Sequence, residues 1–413
     1  MIAPVLAELP WRACSPPPPA VATQLRRQAI FACRKWDPQV GDVATISSGA
    51  LVLTAEAWHE LSDLTTAVAA ETRALEAALL RRPELWRELG VPRALRRALA
   101  TVLPGPAVRS WRFDWHFTTA GWRLSEVNAD VPGGYNEAGG LGLLWQNHLP
   151  GTRTLGDPAA RLARALAVQV PAGARVALVH ATAYSDDRQV MEGLAAALAE
   201  VGLHGLPCAP DHLTWDAAGC QLAGEAVAAC LRFTPGEWLP GLPRECAWRH
   251  LLGHARVLVG NPGSCLLVQS KRLPLLWDRL GVPCPTWRAH LPETRAVQAV
   301  AWRGDPDWIL KPTWGRVGEG VVMQDRVLAA QDRRHVRWAH WWPGRAWVAQ
   351  RRFVSVPWDG PDGPCHPCLG VYTLDGAVTG VFGRTVARPP INGQAVELGV
   401  LAEDAGGYQA RGR

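Results

Sequence analysis

The stretch WRFDWHFTTAGWRLSEVN, residues 111–128, is the part of the sequence that decides the fold. It contains two aromatic-rich segments in which apolar and polar residues alternate, separated by a short segment that ends at Gly121. Alternation with a period of two is typical of β-strands, and a glycine between two such runs marks a tight turn. The stretch is therefore predicted to form a β-hairpin.

The turn sets the register of this hairpin. A three-residue loop with Gly121 in the left-handed conformation is a common hairpin connection, and it pairs Thr118 with Trp122. This connection determines which polar side chains face each other across the two strands.

Four polar side chains then lie on one face of the hairpin. In this register Asp114 lies opposite Glu126, and Arg112 lies opposite Asn128. Two facing carboxylates repel each other unless a cation lies between them, and carboxylate and amide oxygens are ligands that Mg²⁺ prefers. Arg112 would hold a phosphate oxygen beside the metal. The alternative is an ordinary hairpin with an exposed polar face, and a one-residue change of register would also destroy the arrangement.

A second feature is the glycine-rich sequence ILKPTWGRVGEGV, residues 309–321, in which Lys311 ends a predicted strand. Glycines let backbone N–H groups approach phosphate oxygens, and a lysine adds a positive charge. The sequence is not a Walker A motif, because it lacks the Gly-Lys-Ser/Thr ending. A tight surface turn is the alternative interpretation.

Two further basic residues are candidates for a phosphate site. Lys271 lies in the sequence Ser-Lys-Arg near a predicted helix start, and Arg384 lies at the end of a predicted long strand. An arginine fixed at a strand end would stabilise charge on a transferring phosphoryl group. For each residue alone, a solvated surface position is the alternative.

The remaining sequence suggests three segments. Residues 1–165 are predicted to hold a polyproline arm at 14–20, a helical region at about 55–100, the hairpin, and a helix near 135–145. Residues 166–263 contain a strand, the helix 187–201 and a second strand, which together are typical of a βαβ unit in a small parallel sheet. Residues 264–413 are predicted to hold a helix at about 266–280 and the strands on either side of the glycine-rich loop.

The composition excludes several classes of protein. With 413 residues, of which 48% are hydrophobic and 19% are charged, the chain has a globular composition. The net charge of +6 is spread along the chain, and no basic tract predicts nucleic-acid binding. No apolar run is long enough to span a membrane, and the N-terminus does not resemble a signal peptide, so a cytoplasmic location is expected. The pair Cys365 and Cys368 is expected to be an ordinary loop, with a metal or redox site as the alternative.

Together these motifs resemble the synthetase domain of the glutathionylspermidine synthase family. The resemblance rests on five short motifs in the family's order, from about residue 109 onward. They are RFD at 112–114, SEVNADVP at 125–132, NPG followed by QSK at 269–271, KPTWGRVGEGV at 311–321 and GVYTLDGAVTGVFGR at 370–384. The sequence VPGGYNE departs from the family's pattern, so the acceptor side is expected to differ.

The resemblance implies an α/β (α+β) fold of the circularly permuted ATP-grasp type, with a small βαβ lobe. It also implies a role for each candidate residue. Asp114, Glu126 and Asn128 would hold two Mg²⁺ ions, and Arg112 and Arg384 would stabilise the transferring phosphoryl group. The residues implied to bind ATP are Lys271, Lys311, Gly315, Arg316, Gly318, Gly320 and Gln350, the last at the adenine-binding hinge.

The function that follows is an ATP-dependent ligase that joins a carboxylate to an amine and releases ADP and phosphate. The carboxylate would belong to a small molecule or peptide, and the amine to a polyamine or an amino acid. Phosphorylation without ligation, a non-catalytic ATP- or peptide-binding protein of the same fold, and a metal or redox protein built on the two cysteines are the alternatives.

Overall fold

A computed structural model describes residues 9–12, 17–316, 318–323 and 347–404. The helices are Pro19–Phe31, Ala55–Leu80, Arg93–Thr101, Tyr135–Gln146, Pro158–Ala167, Ser185–Ala199, Cys265–Gln269, Trp277–Leu280 and Pro285–His290, with short 3-10 turns between several of them. The predicted helical region at 55–100 and the helix near 135–145 are confirmed.

The largest layer is a nine-stranded sheet, which we call the central sheet. Its strands are Trp11–Arg12, Ile46–Leu53, Ser110–Thr118, Gly121–Asn128, Thr152–Thr154, Trp358–Gly360, Gly363–Leu374, Ala377–Val386 and Val396–Glu403. The hairpin lies at one edge and pairs with Gly363–Leu374. The long helix Ala55–Leu80 packs on this sheet through the leucines and valine of its apolar face, among which Leu61, Val68 and Leu75 are fully buried. Strands from the first and third predicted segments therefore share one sheet, and the segment boundaries stay a prediction.

The βαβ unit predicted in the second segment is confirmed. Strand Arg175–Val179, helix Ser185–Ala199 and strand His204–Cys208 form it, and the two strands pair in parallel. Strands Ala229–Arg232, Leu258–Gly260 and Ala107–Val108 complete a five-stranded parallel sheet. A small antiparallel sheet, made of Leu213–Trp215, Cys220–Leu222 and Glu225–Val227, lies beside it.

A four-stranded sheet carries the glycine-rich loop. Its strands are Thr294–Arg295, Trp308–Pro312, Val322–Met323 and Trp347–Arg351. Val317 and residues 324–346 lie outside the described residues. The remaining described strands, Gln39–Val40 and Val43–Ala44, form a small hairpin near the N-terminus.

Two predictions about local structure are wrong. The expected helix at about 266–280 is broken into Cys265–Gln269, a 3-10 turn and Trp277–Leu280, because the hydroxyl of Ser270 donates to the Leu89 carbonyl and Pro274 lacks an N–H. The polyproline arm predicted at 14–20 does not extend to residue 20, and its residues 14–16 lie outside the described residues. Pro19 is the first residue of helix Pro19–Phe31, a position where a missing N–H costs nothing.

Candidate functional site

The hairpin places its acidic residues as predicted, although its turn is different. The loop has two residues, and Thr118 pairs with Gly121 instead of Trp122, so the expected three-residue loop is wrong. A β-bulge between Asp114 and Trp115 adds one residue to the second strand. This residue, Ser125, donates its hydroxyl to the Asp114 carbonyl at 3.0 Å.

The bulge restores the predicted register for the candidate metal ligands. Beyond it, Asp114 lies opposite Glu126 and Arg112 lies opposite Asn128, as predicted. The neighbouring strand contributes Gly370, which is the partner of Asp114 on the other side. The candidate metal ligands thus occupy neighbouring positions at the edge of the central sheet.

Asp114 is the centre of a buried cluster of charged groups. Arg112 donates to both of its carboxylate oxygens at 2.7 and 3.0 Å, and Arg384 donates to one of them at 2.7 Å. The side-chain amide of Asn128 donates at 3.1 Å. Burial would raise the pKa of Asp114, but the two arginines outweigh it and lower that pKa. Asp114 is therefore an anion that its neighbours already neutralise.

A glycine leaves the room for this cluster. A Cβ atom at Gly370 would lie 2.6 Å from the Arg112 Cδ atom and 3.0 Å from an Asp114 carboxylate oxygen. Glycine inside a strand often marks such a close approach of neighbouring groups.

Glu126 is held by the first of the two predicted lysines. The Lys271 ammonium lies 3.0 Å from the Glu126 carboxylate and also donates to the Gly315 carbonyl at 2.7 Å. Lys311 donates to the Ser125 carbonyl at 3.3 Å. Burial lowers the pKa of Lys311 to about 8, and the positive charge of Lys271 contributes to this shift. Both lysines therefore lie beside the acidic pair.

A cleft with an empty volume of about 930 Å³ opens over these groups, and we call it the lysine cleft. Its polar lining residues include Asp114, Glu126, Lys271, Lys311 and Arg384. Its apolar lining residues include Ile309, Val321, Met323, Phe353 and Val386. A cleft lined by both cationic and apolar side chains suits a ligand that has a flat apolar end and an anionic end.

The glycine-rich loop divides its residues between two surfaces. Gly315 and Gly318 line the lysine cleft, and Gly320 lies beside it with a positive φ of 69°. Arg316 instead extends to the other side, where its guanidinium donates to Glu237 at 2.9 Å and lies 3.6 Å from Asp130.

Gln350 lies on the strand next to that of Lys311, where it pairs with Ile309, two residues before the lysine. Its amide donates to the Thr294 hydroxyl at 3.0 Å. It lines a smaller cavity that also contacts Glu126 and Lys271, next to the lysine cleft.

A second and larger cleft, with an empty volume of about 1500 Å³, adjoins Glu126. We call it the wide cleft. Arg112, Asn128 and Arg316 line it, and it shares Glu126 and Arg384 with the lysine cleft. Two clefts thus share a metal-ligand candidate and an arginine in their linings.

The wide cleft contains charged residues that the sequence did not single out. They are Lys35, Asp37, Glu137, Asp186, Asp187 and Glu397. They come from distant parts of the chain and share no spacing or motif. Glu137 lies in VPGGYNE, the part of the sequence that departs from the expected pattern, and this departure is the one available signal.

Other residues of the predicted motifs fix the hairpin in place. The Asn261 amide donates to the carbonyls of Ser110, Ala129 and Asp130 at 2.7, 2.9 and 3.0 Å. The Gln269 side chain accepts from the backbone N–H groups of Ala129 and Asp130 at 3.0 and 2.7 Å. These residues have a positioning role at the base of the site.

Asp130 joins the hairpin to the parallel sheet. Its carboxylate is fully buried, forms an ion pair with Arg232, and accepts from the Gly236 N–H at 2.8 Å. Because removing one partner from a buried ion pair leaves an uncompensated charge, this contact fixes the two layers relative to each other.

Cys365 and Cys368 lie on strand Gly363–Leu374, so the expectation of an ordinary loop is wrong. The Cys365 thiol contacts the Trp358 carbonyl, whereas the Cys368 sulfur accepts from Arg384 at 3.7 Å. Within the described residues, no group of three or more His, Cys, Asp or Glu side chains is arranged to hold a metal ion. No helix in that part of the chain is long and apolar enough to cross a membrane.

The chain is similar to known proteins in both sequence and fold. A family model described as glutathionylspermidine synthase preATP-grasp matches residues 36–389. A search of curated proteins returned no match. Among solved structures, a glutathione synthetase-like effector from Globodera pallida, in its apo form, has a TM-score of 0.66 at 12% identity, covering 94% of this chain and 99% of that one. A putative gamma-glutamylcysteine synthetase from Methylobacillus flagellatus KT has a TM-score of 0.44 at 14% identity, covering 81% and 88%.

Proposed function

Because the chain belongs to the glutathionylspermidine synthase preATP-grasp family, we propose that it is an ATP-dependent ligase that joins a carboxylate to an amine. The α/β fold of the ATP-grasp type, expected from the sequence, is confirmed. The proposed reaction forms an amide through an acyl phosphate and releases ADP and phosphate. The proposed substrates are a small-molecule or peptide carboxylate and the amine of a polyamine or an amino acid.

The observation that carries this proposal is the meeting of the two clefts at Glu126 and Arg384. Group transfer requires that a donor and an acceptor approach each other within a few ångströms. In the proposed arrangement ATP occupies the lysine cleft and the carboxylate and amine occupy the wide cleft. The phosphoryl group would then be transferred at the junction.

The donor atoms at the junction suit Mg²⁺. Asp114, Glu126 and Asn128 provide carboxylate and amide oxygens, which are the ligands that this hard cation prefers, with phosphate oxygens completing its shell. Two Mg²⁺ ions held there would offset the negative charge of the phosphates during transfer. The Lys271 ammonium, which now pairs with Glu126, would then be available to a phosphate oxygen.

The lining of the lysine cleft offers contacts for both ends of ATP. Lys271 and Lys311 offer ammonium groups to the phosphates, and Gly315 and Gly318 leave the loop backbone accessible to them. The apolar lining residues, such as Ile309, would contact the adenine, and Gln350 is the cross-strand partner of Ile309.

Arg384 and Arg112 are placed to act on the transferring group. Both are buried beside Asp114, and the Arg384 Nε atom has no hydrogen-bond partner among the described residues. A buried N–H donor without a partner is costly, and an incoming oxyanion would satisfy it. We assign to Arg384 the stabilisation of the phosphoryl group and of the acyl phosphate, with Arg112 orienting Asp114 and contacting the carboxylate side.

The chemistry balances in two steps. A carboxylate oxygen attacks the γ-phosphorus, the bond from phosphorus to the β–γ bridging oxygen breaks, and ADP leaves. The amine nitrogen then attacks the acyl carbon, phosphate leaves, and the nitrogen loses a proton to solvent. Because water would hydrolyse the acyl phosphate, the loop at 313–320 must cover the junction during the reaction.

Two further properties accompany this proposal. The cysteines of the described residues are all free thiols, which supports a reducing, cytoplasmic location. We propose small-molecule partners, with no nucleic acid and no membrane.

The test is the nucleotide product formed from Mg·ATP with a panel of carboxylates crossed with amines. We expect ADP and phosphate only when both a carboxylate and an amine are present. AMP and pyrophosphate would refute the acyl phosphate. ATP binding without turnover on any pair would favour the alternative of a non-catalytic binding protein, and Glu126→Gln serves as the inactive control.

A further inference from the structure

Lys35 lies in a pocket made of three carboxylates. Its ammonium is 2.6 Å from Glu397, 2.8 Å from Asp37 and 3.1 Å from Glu137. The side chain is almost completely buried, with 2% of its surface exposed. All four residues line the wide cleft. A lysine ammonium has three N–H donors, and one oxygen of each of the three acidic side chains lies within 3.1 Å of this one.

The segment that carries Lys35 is fixed by specific contacts. The Trp36 N–H donates to the Gln189 side chain at 2.7 Å, and the same side chain donates to Asp37 at 2.7 Å. On the other side, Cys33 packs against Gly140, where a Cβ atom would lie 2.5 Å from the Cys33 sulfur. The lysine is therefore placed in the pocket by the fold, not by chance contact of a surface side chain.

The pocket adjoins the junction of the two clefts. Glu397 is the cross-strand partner of Arg384 in the central sheet, so their side chains start from directly opposed positions. One oxygen of Glu137, Oε2, is buried without a hydrogen-bond partner among the described residues, and Glu137 is 5% exposed. The pocket thus has acceptor capacity that Lys35 does not use.

Charge explains why the pocket holds an ammonium. Burial alone would lower the pKa of Lys35, but Glu137, Glu397 and Asp37 together raise it above its usual value. Burial and the charge of Glu137 raise the pKa of Glu397 to about 8. Without a cation, three carboxylates at such short distances would repel one another strongly.

Resting on the proposed function, we propose that Lys35 determines the amine specificity of the wide cleft, because its ammonium occupies the position that a second ammonium of the acceptor would take. An acceptor whose reacting nitrogen lies beside Arg384 cannot place another cation among Asp37, Glu137 and Glu397 while Lys35 fills that pocket. The acceptor class that fits is an amine without a second cationic group at this end, such as an amino acid, and not a diamine.

The test removes the lysine side chain by mutation and supplies an ammonium ion in solution in its place. Lys35→Ala removes the side chain beyond Cβ, and the missing part corresponds to n-propylammonium. We expect n-propylammonium to raise the Tm of Lys35→Ala. We also expect its Kd for Lys35→Ala to be at least about tenfold lower than its Kd for the wild type, because one charge-assisted hydrogen bond contributes about that much to binding. Tetramethylammonium, which has the charge but no N–H donor, is the matched control and should have little effect.

A second variant keeps the test valid if Lys35→Ala does not fold. Lys35→Ala/Glu397→Gln removes the lysine together with one of the three acidic groups, so that only Asp37 and Glu137 remain in the pocket. It should still bind n-propylammonium better than tetramethylammonium. Equal effects of the two cations, or equal binding by wild type and variant, would overturn the proposal.

The expected change in amine specificity is measured as the binding of 1,4-diaminobutane. We expect it to bind the variants at least about tenfold more tightly than the wild type, by calorimetry without ATP. Tight binding by the wild type would contradict the proposal. Because these measurements require no turnover, their failure is distinguishable from failure of the proposed reaction.

Discussion

Gly370→Ala tests whether the packing around Asp114 supports the metal site. The added Cβ atom would lie 2.6 Å from the Arg112 Cδ atom and 2.9 Å from its Nε atom. Ordinary carbon contacts are about 3.5–4.0 Å, so Arg112 or the strand must shift by about 1 Å. The Arg112 guanidinium also donates to the Gly133 carbonyl at 2.5 Å, which limits its freedom to move.

Two magnitudes follow from this shift. Overpacking of a buried strand should lower the free energy of unfolding by about 1–3 kcal/mol. Displacing the partner that orients a metal ligand should weaken the affinity for Mg·ATP by about 10–100-fold. Urea denaturation measures the first effect, and titration calorimetry with Mg·ATP measures the second.

Gly380→Ala is the control for overpacking away from Asp114. Gly380 lies on the same strand as Arg384, and its added Cβ atom would lie 2.7 Å from the Cδ atom of Pro158, in helix Pro158–Ala167. We expect a similar loss of stability with Mg·ATP affinity close to that of the wild type. Equal Mg·ATP affinity in both glycine variants would refute the role assigned to the cluster of Arg112 and Asp114.

Three further predictions concern individual charges. Glu126→Gln keeps the side-chain volume, so it should leave stability almost unchanged while lowering turnover by about 100-fold or more, measured as ADP release; full activity would refute its role as a metal ligand. Arg384→Ala should lower kcat by about 10²–10³-fold and weaken ATP affinity much less than that, and a defect in binding alone would contradict a role in the transition state. The pKa of Lys311 in the free protein is about 8, and bound phosphate favours its ammonium form and so raises that pKa. Binding of ATP should therefore be accompanied by the uptake of a proton, and the affinity for ATP should fall as the pH rises through about 8. Calorimetry at about pH 8.5 in buffers of different ionisation enthalpy would detect this proton uptake. If no proton is taken up, Lys311 does not contact a phosphate in the way proposed.

The hairpin shows how far residue pattern predicts structure. Alternation identified both strands, and Gly121 adopts the expected positive φ. The loop length was wrong, yet the pairing of Asp114 with Glu126 is correct, because the bulge at Ser125 compensates for the shorter loop. A bulge depends on the contact between the Ser125 hydroxyl and the Asp114 carbonyl, which forms only after the strands pair.

The strands of the central sheet that were not predicted include two long ones. Ile46–Leu53 and Val396–Glu403 are neighbours in that sheet, although they are far apart in sequence. Both are buried along much of their length, so they lack the alternation that identifies a half-exposed strand.

The acidic pocket of Lys35 could not be predicted for a related reason. Its members come from three separate parts of the chain, and only the folded sheet and the helix Tyr135–Gln146 bring them together. Motif spacing identifies residues on one strand or loop, as it did for Asp114 and Lys311. It carries no information about residues that meet through tertiary packing alone.

The central claim is that the carboxylate is phosphorylated before the amine attacks. The most direct measurement uses a carboxylate labelled with ¹⁸O, together with Mg·ATP and the amine that supports ADP release. If an acyl phosphate forms, one labelled oxygen is transferred to the released phosphate, because the carboxylate oxygen that attacks the γ-phosphorus remains bonded to phosphorus when the amide forms. Amide and ADP formation with no ¹⁸O in the phosphate, or with the label in AMP, would contradict the account.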